Sequence, residues 1–238
     1  YIIEHPDPNR KLNLAINSNL GIPDKLVDKF IEKIQRICDE DRVNEFVIFT
    51  SVDTWGKQAE YIRNGLEFNR FWDNCNKVLA KCPKVILTYM VTYNALSVPN
   101  YHKLIKGVYD LKTQYGSDDR YWNSATFLDT SYLRHPKHQT VQVLEPHWAD
   151  KIFRDAQLID FLGVPLFEKE YIGYSDVEIQ KIKRTYDWMK SPIDEKALQT
   201  QRRNFGYYFR AHDERRGTDF AKTFPELADF FEYCKTLS

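Results

Sequence analysis

The chain has 238 residues, enough for one large domain with a sizeable core or for two small ones. Apolar residues make up 42% and charged residues 29%, with 34 Lys and Arg against 34 Asp and Glu; a zero balance argues against nucleic acid or a membrane surface as partner, because both select a positive field. No run approaches the roughly 18 apolar residues of a membrane span and no secretory leader is visible, so a cytoplasmic protein with no membrane partner is expected.

Taken in chain order, Tyr1-Ile2-Ile3-Glu4-His5-Pro6 reads as the end of a helix running into a Pro-terminated loop, which suggests that the native chain extends upstream. Lys11 to Asn17 alternates Leu12, Leu14 and Ile16 with polar neighbours and predicts a strand. Pro23 is placed to start a helix whose face carries Leu26, Val27, Phe30, Ile31, Ile34 and Cys38. The run Phe46-Val47-Ile48-Phe49 within Glu45 to Val52 predicts a strand buried on both faces, as in parallel sheets. A short helix is expected from Gln58 to Asn64. A longer one carries Phe68, Phe71, Trp72, Cys75, Val78, Leu79 and Cys82 on one face and closes at Pro83. Val85 to Thr92 is a further buried strand, Tyr101 to Tyr115 an amphipathic helix, and Ala125 to Leu128 and Thr140 to Leu144 are short strand candidates. From Trp148 helical patterns take over: Trp148 to Leu162, Asp176 to Lys190, Asp194 to Phe209 and Pro225 to Leu237. The reading is an α/β unit over residues 1–147 followed by a helical extension over 148–238.

A strand–helix rhythm implies parallel strands with right-handed crossovers, and such sheets present ligands with the C-terminal ends of their strands. Those ends are polar here: Asn17-Ser18-Asn19-Leu20, Ser51-Val52-Asp53 and Thr92-Tyr93-Asn94. They suit a polar metabolite with hydroxyl, amino and carboxylate groups, although Ser, Asn and Asp also favour turns and helix caps. Asp53 in particular reads as a cap for the helix that follows it.

The ordered set resembles the radical S-adenosylmethionine (SAM) enzymes, particularly their peptide-modifying branch. Ser51-Val52-Asp53 followed by Arg63 is similar to that family's "SxD" strand end and the arginine after it. Asn17-Ser18-Asn19-Leu20 is similar to its "TNG" element, with Leu20 in the Gly place, and Val91-Thr92-Tyr93-Asn94 to its fifth-strand end. The resemblance spans about Lys11 to Tyr115. It implies that Ser51 bonds the amino-acid end of SAM and that Arg63 pairs with its carboxylate. It places Ser18 and Asn19 near the methionine or ribose, and Thr92 and Asn94 near the adenosine or substrate.

The family's CxxxCxxC loop and its "GGE" strand have no counterpart here. The resemblance therefore implies a partial (β/α) barrel missing its first two strand units, with a helical C-terminal extension. It further implies that the ligands of a 4Fe-4S cluster are absent from this chain, and that a missing N-terminal segment or another chain covers an open sheet edge. For an intact parent it implies reductive cleavage of SAM to a 5′-deoxyadenosyl radical that takes hydrogen from a substrate, with a peptide or protein preferred. The chain alone is then expected to be inactive, and no catalytic residue is assigned. Two other classes stay open: a catalytically silent module binding a peptide or nucleotide, and a non-radical transferase using SAM or a nucleotide.

The four cysteines, Cys38, Cys75, Cys82 and Cys234, are too dispersed for a metal site and read as free thiols in a reducing compartment. His135-Pro136-Lys137-His138 lacks nearby carboxylate or Cys and reads as a surface loop, so no metal ligand is assigned. His212 to Thr218 reads as a charged loop with internal ion pairs, from which Arg215 or Arg216 reaching an acidic substrate is the functional alternative. Phe205-Gly206-Tyr207-Tyr208-Phe209 reads as helix packing, with a peptide-binding surface as its alternative.

Overall fold

The computed structural model describes residues 2–5, 11–116, 125–163 and 172–237. The expected helix end over Tyr1 to Arg10 lies mostly outside them; residues 2–4 form a turn. Four strands, β1 (Leu12–Asn17), β2 (Val43–Ser51), β3 (Val85–Tyr93) and β4 (Thr126–Tyr132), form one sheet. Every pairing is parallel, and the spatial order β1-β2-β3-β4 equals the chain order. Each crossover is helical: α1 (Asp24–Asp39), then α2 (Gly56–Ile62) with α3 (Phe68–Lys81), then α4 (Tyr101–Tyr115).

Because side chains alternate along a strand, the register divides the sheet into two faces. Phe46 and Ile48 of β2, Leu87, Tyr89 and Val91 of β3, and Leu128 of β4 are all buried on one face. Tyr89 meets Phe71 and Trp72 of α3 there, which identifies it as the helix-covered face. The opposite face carries Val47, Phe49, Ser51, Thr88, Met90, Thr92, Phe127, Asp129 and Ser131 in register. Val47 and Phe49 are only half-buried on it, so the expected burial of β2 on both faces is corrected: the helices cover one side.

The two edges of the sheet differ. β1 pairs with β2 alone among the described residues, and its outer positions are largely exposed, Leu12 at 59%. β4 is covered by α6 (Asp176–Lys190), which packs along it after α5 (Trp148–Phe161) has packed on α4. Ser175 and Glu178 form a capping box that starts α6. The Glu178 carboxylate also accepts from the Leu128 amide at 2.8 Å and pairs with Lys112 at 3.1 Å. Lys112 in turn donates to the Thr126 carbonyl at 2.7 Å. The Leu128 amide and the Thr126 carbonyl on the outer edge of β4 are thus met by a buried ion pair.

The expected strand at Thr140 to Leu144 is instead a 3-10 turn, Val141–Val143, with both valines buried. The His212 to Thr218 stretch is not a loop. α7 runs unbroken from Glu195 to Arg216, between an Asp194 cap and a left-handed Gly217 at φ 62°. Phe205 and Phe209 of α7 are buried while Tyr207 and Tyr208 stay exposed. Short α8 (Phe220–Thr223) and α9 (Ala228–Thr236) complete the chain. At Gly206 a Cβ would lie 2.7 Å from the Cys234 backbone, so only glycine lets α7 and α9 cross this closely. One apolar cluster runs from the sheet through these helices without a break.

Candidate functional site

The C-terminal ends of the strands are tied into a common rim. The Ser18 amide donates to Phe49 O, Val52 to Met90 O, and Leu133 to Tyr93 O. Asp53 makes the strongest of these links. Its carboxylate, 5% exposed, accepts from the Thr92 amide at 2.8 Å and from Arg63 Nη2 at 3.1 Å. Arg63 Nε lies 2.8 Å from the second oxygen without hydrogen-bond alignment. Burial pushes the Asp53 carboxyl above its ordinary range, and the guanidinium and amide act against that rise. The expected capping role of Asp53 is corrected: α2 begins after Trp55 with no side-chain cap, and the carboxylate turns to the next strand instead.

Of the residues singled out from sequence, Arg63 is joined to the backbone of Thr92 through Asp53, and Ser51 ends the adjacent strand. Ser51 and Thr92 lie on the helix-free face of the sheet. Arg63 does not pair with Glu60 or Glu67, whose partners are Lys57 and Arg70. One edge of its guanidinium is engaged by Asp53.

Asn94 folds back into its own loop. It donates to Thr92 O at 2.9 Å, accepts from the Leu96 amide at 2.9 Å, and its own amide donates to Ser97 Oγ. It also lines a pocket of about 60 Å³ with Tyr61, Gln139, Tyr208, His212 and Arg216, where the C-terminal half of α7 passes over the rim. Tyr61 stacks near His212 and donates to Asp213 at 2.8 Å, which fixes α2 to α7.

Ser18 and Asn19 lie at the end of edge strand β1 and serve its turn. Ser18 Oγ accepts from the Leu20 amide, and Asn19 Oδ1 from the Gly21 amide. Leu20 adopts a left-handed φ of 48° with its side chain fully buried. Asn74 of α3 clamps this turn by donating to Leu20 O at 2.7 Å and Ile22 O at 2.9 Å.

Behind the rim, α4 and α5 enclose a polar cluster in which Lys151 bridges His102 at 3.1 Å and Asp155 at 2.5 Å. Burial, then Lys151, bring the His102 pKa down to about 4, while burial raises Asp155 to about 6.

The donor set does not fit an iron–sulfur cluster. All four cysteines are buried, and no three His, Cys, Asp or Glu residues among those described converge on a metal position. Burial raises the thiols of Cys75 and Cys234 to about 12, which suits core packing rather than thiolate ligation. Among the described residues no helix is long and apolar enough to cross a membrane.

Fold and rim define an α/β protein with a four-stranded parallel sheet whose strand ends converge on one polar edge. Comparison with family models, with curated proteins and with solved structures finds no match.

Proposed function

We propose that the rim binds SAM, and that this chain is the SAM-holding part of a partial radical SAM-type barrel. The observation that carries the reading is the parallel sheet in chain order, with Arg63 joined through Asp53 to the Thr92 amide and Ser51 at the end of the adjacent β2. Asp53 orients the Arg63 guanidinium, whose remaining N–H groups then face the carboxylate of the methionine moiety. Ser51 and Thr92 supply hydroxyls to the amino and ribose groups. The left-handed Leu20 supports the same reading, because it stands where the resembled "TNG" element has its glycine.

The role proposed for this chain stops at binding, since its residues do not fit the cluster. Radical chemistry on a peptide or protein belongs, in this proposal, to an assembly in which another stretch of polypeptide supplies the cluster ligands and covers β1. A binding module without redox chemistry is the second reading, favoured by the burial of every thiol.

Calorimetric titration with SAM tests the proposal. The chain should bind saturably, and Arg63→Ala should weaken binding by about tenfold or more, the loss of a charge-assisted bidentate contact. Asp53→Asn should weaken it less, because Asp53 acts by positioning Arg63. Absence of binding by a chain that melts cooperatively would overturn the assignment.

A further inference from the structure

We infer that the cleft between the C-terminal end of β4 and α6 binds the phosphoryl group of a small metabolite, a role independent of the SAM reading. The cleft has a volume of about 410 Å³ and is lined by Thr130, Ser131, Tyr132, Arg134, Lys181 and Arg184. That is metabolite-sized, within the roughly 300–1,000 Å³ typical of ligand pockets.

Its charge is unbalanced. Lys181 pairs with Asp129 beside the cleft. Arg134 and Arg184 have no carboxylate partner among the described residues. Three cations against one carboxylate leave two positive charges. A single carboxylate would answer only one of them, whereas a phosphate dianion answers both and matches the planar fork of each guanidinium.

Two of the cations, Arg134 and Lys181, are also held in place. Arg134 donates to the Tyr132 hydroxyl at 3.0 Å and lies over the Tyr132 ring at 5.2 Å. Tyr132 stacks on Trp188 of α6 with 5.4 Å between ring centroids, so the Arg134 wall is braced against the helix that carries Lys181 and Arg184. The spacing of Lys181 and Arg184 puts both on one face of α6. Ser131 presents its hydroxyl on the helix-free face beside Thr92, whereas the Thr130 hydroxyl is turned away to Tyr101. An oxyanion between the two arginines therefore meets guanidinium, ammonium and hydroxyl donors in one place.

The test uses inorganic pyrophosphate as probe, titrated calorimetrically into the full chain at low salt, with citrate as the carboxylate counterpart. Pyrophosphate should bind saturably. Arg134→Gln and Arg184→Gln should each weaken it about tenfold, and Lys183→Gln, whose lysine pairs with Asp160 instead, should not. Both arginines are exposed, so the variants should melt like the parent. The inference is overturned if pyrophosphate fails to saturate by about 10 mM, if the arginine variants bind as the parent does, or if citrate binds as tightly. Arg184→Gln should leave SAM titration unchanged, so this site and the rim can fail separately.

Discussion

Leu20 combines two costs that a glycine would avoid: a left-handed backbone and a turn whose carbonyls face the interior. Such a conformation costs about 1–3 kcal/mol and persists only where neighbours hold it. Asn74 is that neighbour, with one amide group spanning the carbonyls of Leu20 and Ile22. Asn74→Ala should lower stability by about 1–3 kcal/mol, the cost of leaving buried carbonyls unmet, read from urea unfolding; an unchanged midpoint would show that the turn holds itself. Asp53 shows where residue-level reading reached its limit. Its polar position at a strand end is plain in the sequence, but its partner, the Thr92 amide, is 39 residues away. Local pattern offered a helix cap; the fold offered a buried amide and a guanidinium, and the carboxylate took both. Lys181 and Arg184 were equally invisible as a pair with Arg134, because their shared cleft exists only once α6 lies along β4.

At the scale of elements, α6 replaces the strand that would otherwise extend the sheet. Glu178 gathers the Leu128 amide, the Ser175 amide and hydroxyl, and Lys112. Glu178→Ala would leave Lys112 without its carboxylate in the core and the Leu128 amide unmet. It should cost about 3–5 kcal/mol in denaturant unfolding, and Lys112→Met in the same background should recover part of that loss. A loss under about 1 kcal/mol for Glu178→Ala would mean that water replaces the carboxylate. The pattern Ser175-x-x-Glu178 marks a helix start in the sequence, but nothing local says that the same carboxylate closes a sheet. The first three strands and most helices were legible because their apolar periods are long and unbroken. Val141 and Val143 misled because alternating β-branched residues suit a strand, yet here both are buried in a single tight turn. Charge density hides the last turns of α7 in the sequence, although Gly217 is the kind of residue that ends a helix.

At the largest scale the sheet is asymmetric, clasped at β4 and, among the described residues, open at β1. A strand with no partner on its outer edge among the described residues, carrying Leu12 at 59% exposure, is a template for pairing with another strand. Sedimentation velocity should therefore show concentration-dependent association, and Ala15→Pro, which removes a backbone donor from β1, should suppress it. Equal sedimentation of parent and variant at all concentrations would place the association elsewhere or nowhere. The agreement of spatial with chain order has a consequence in time as well. Each strand's neighbour is the unit made just before it, so the sheet can assemble vectorially during synthesis, β2 docking on β1, then β3 on β2, with no unit waiting for a distant one. Only the final lock departs from this schedule: the Lys112–Glu178 pair closes only once Glu178 has left the ribosome 66 residues later. During that interval the β4 edge is bare, and the nascent chain is at its most vulnerable to wrong strand partners.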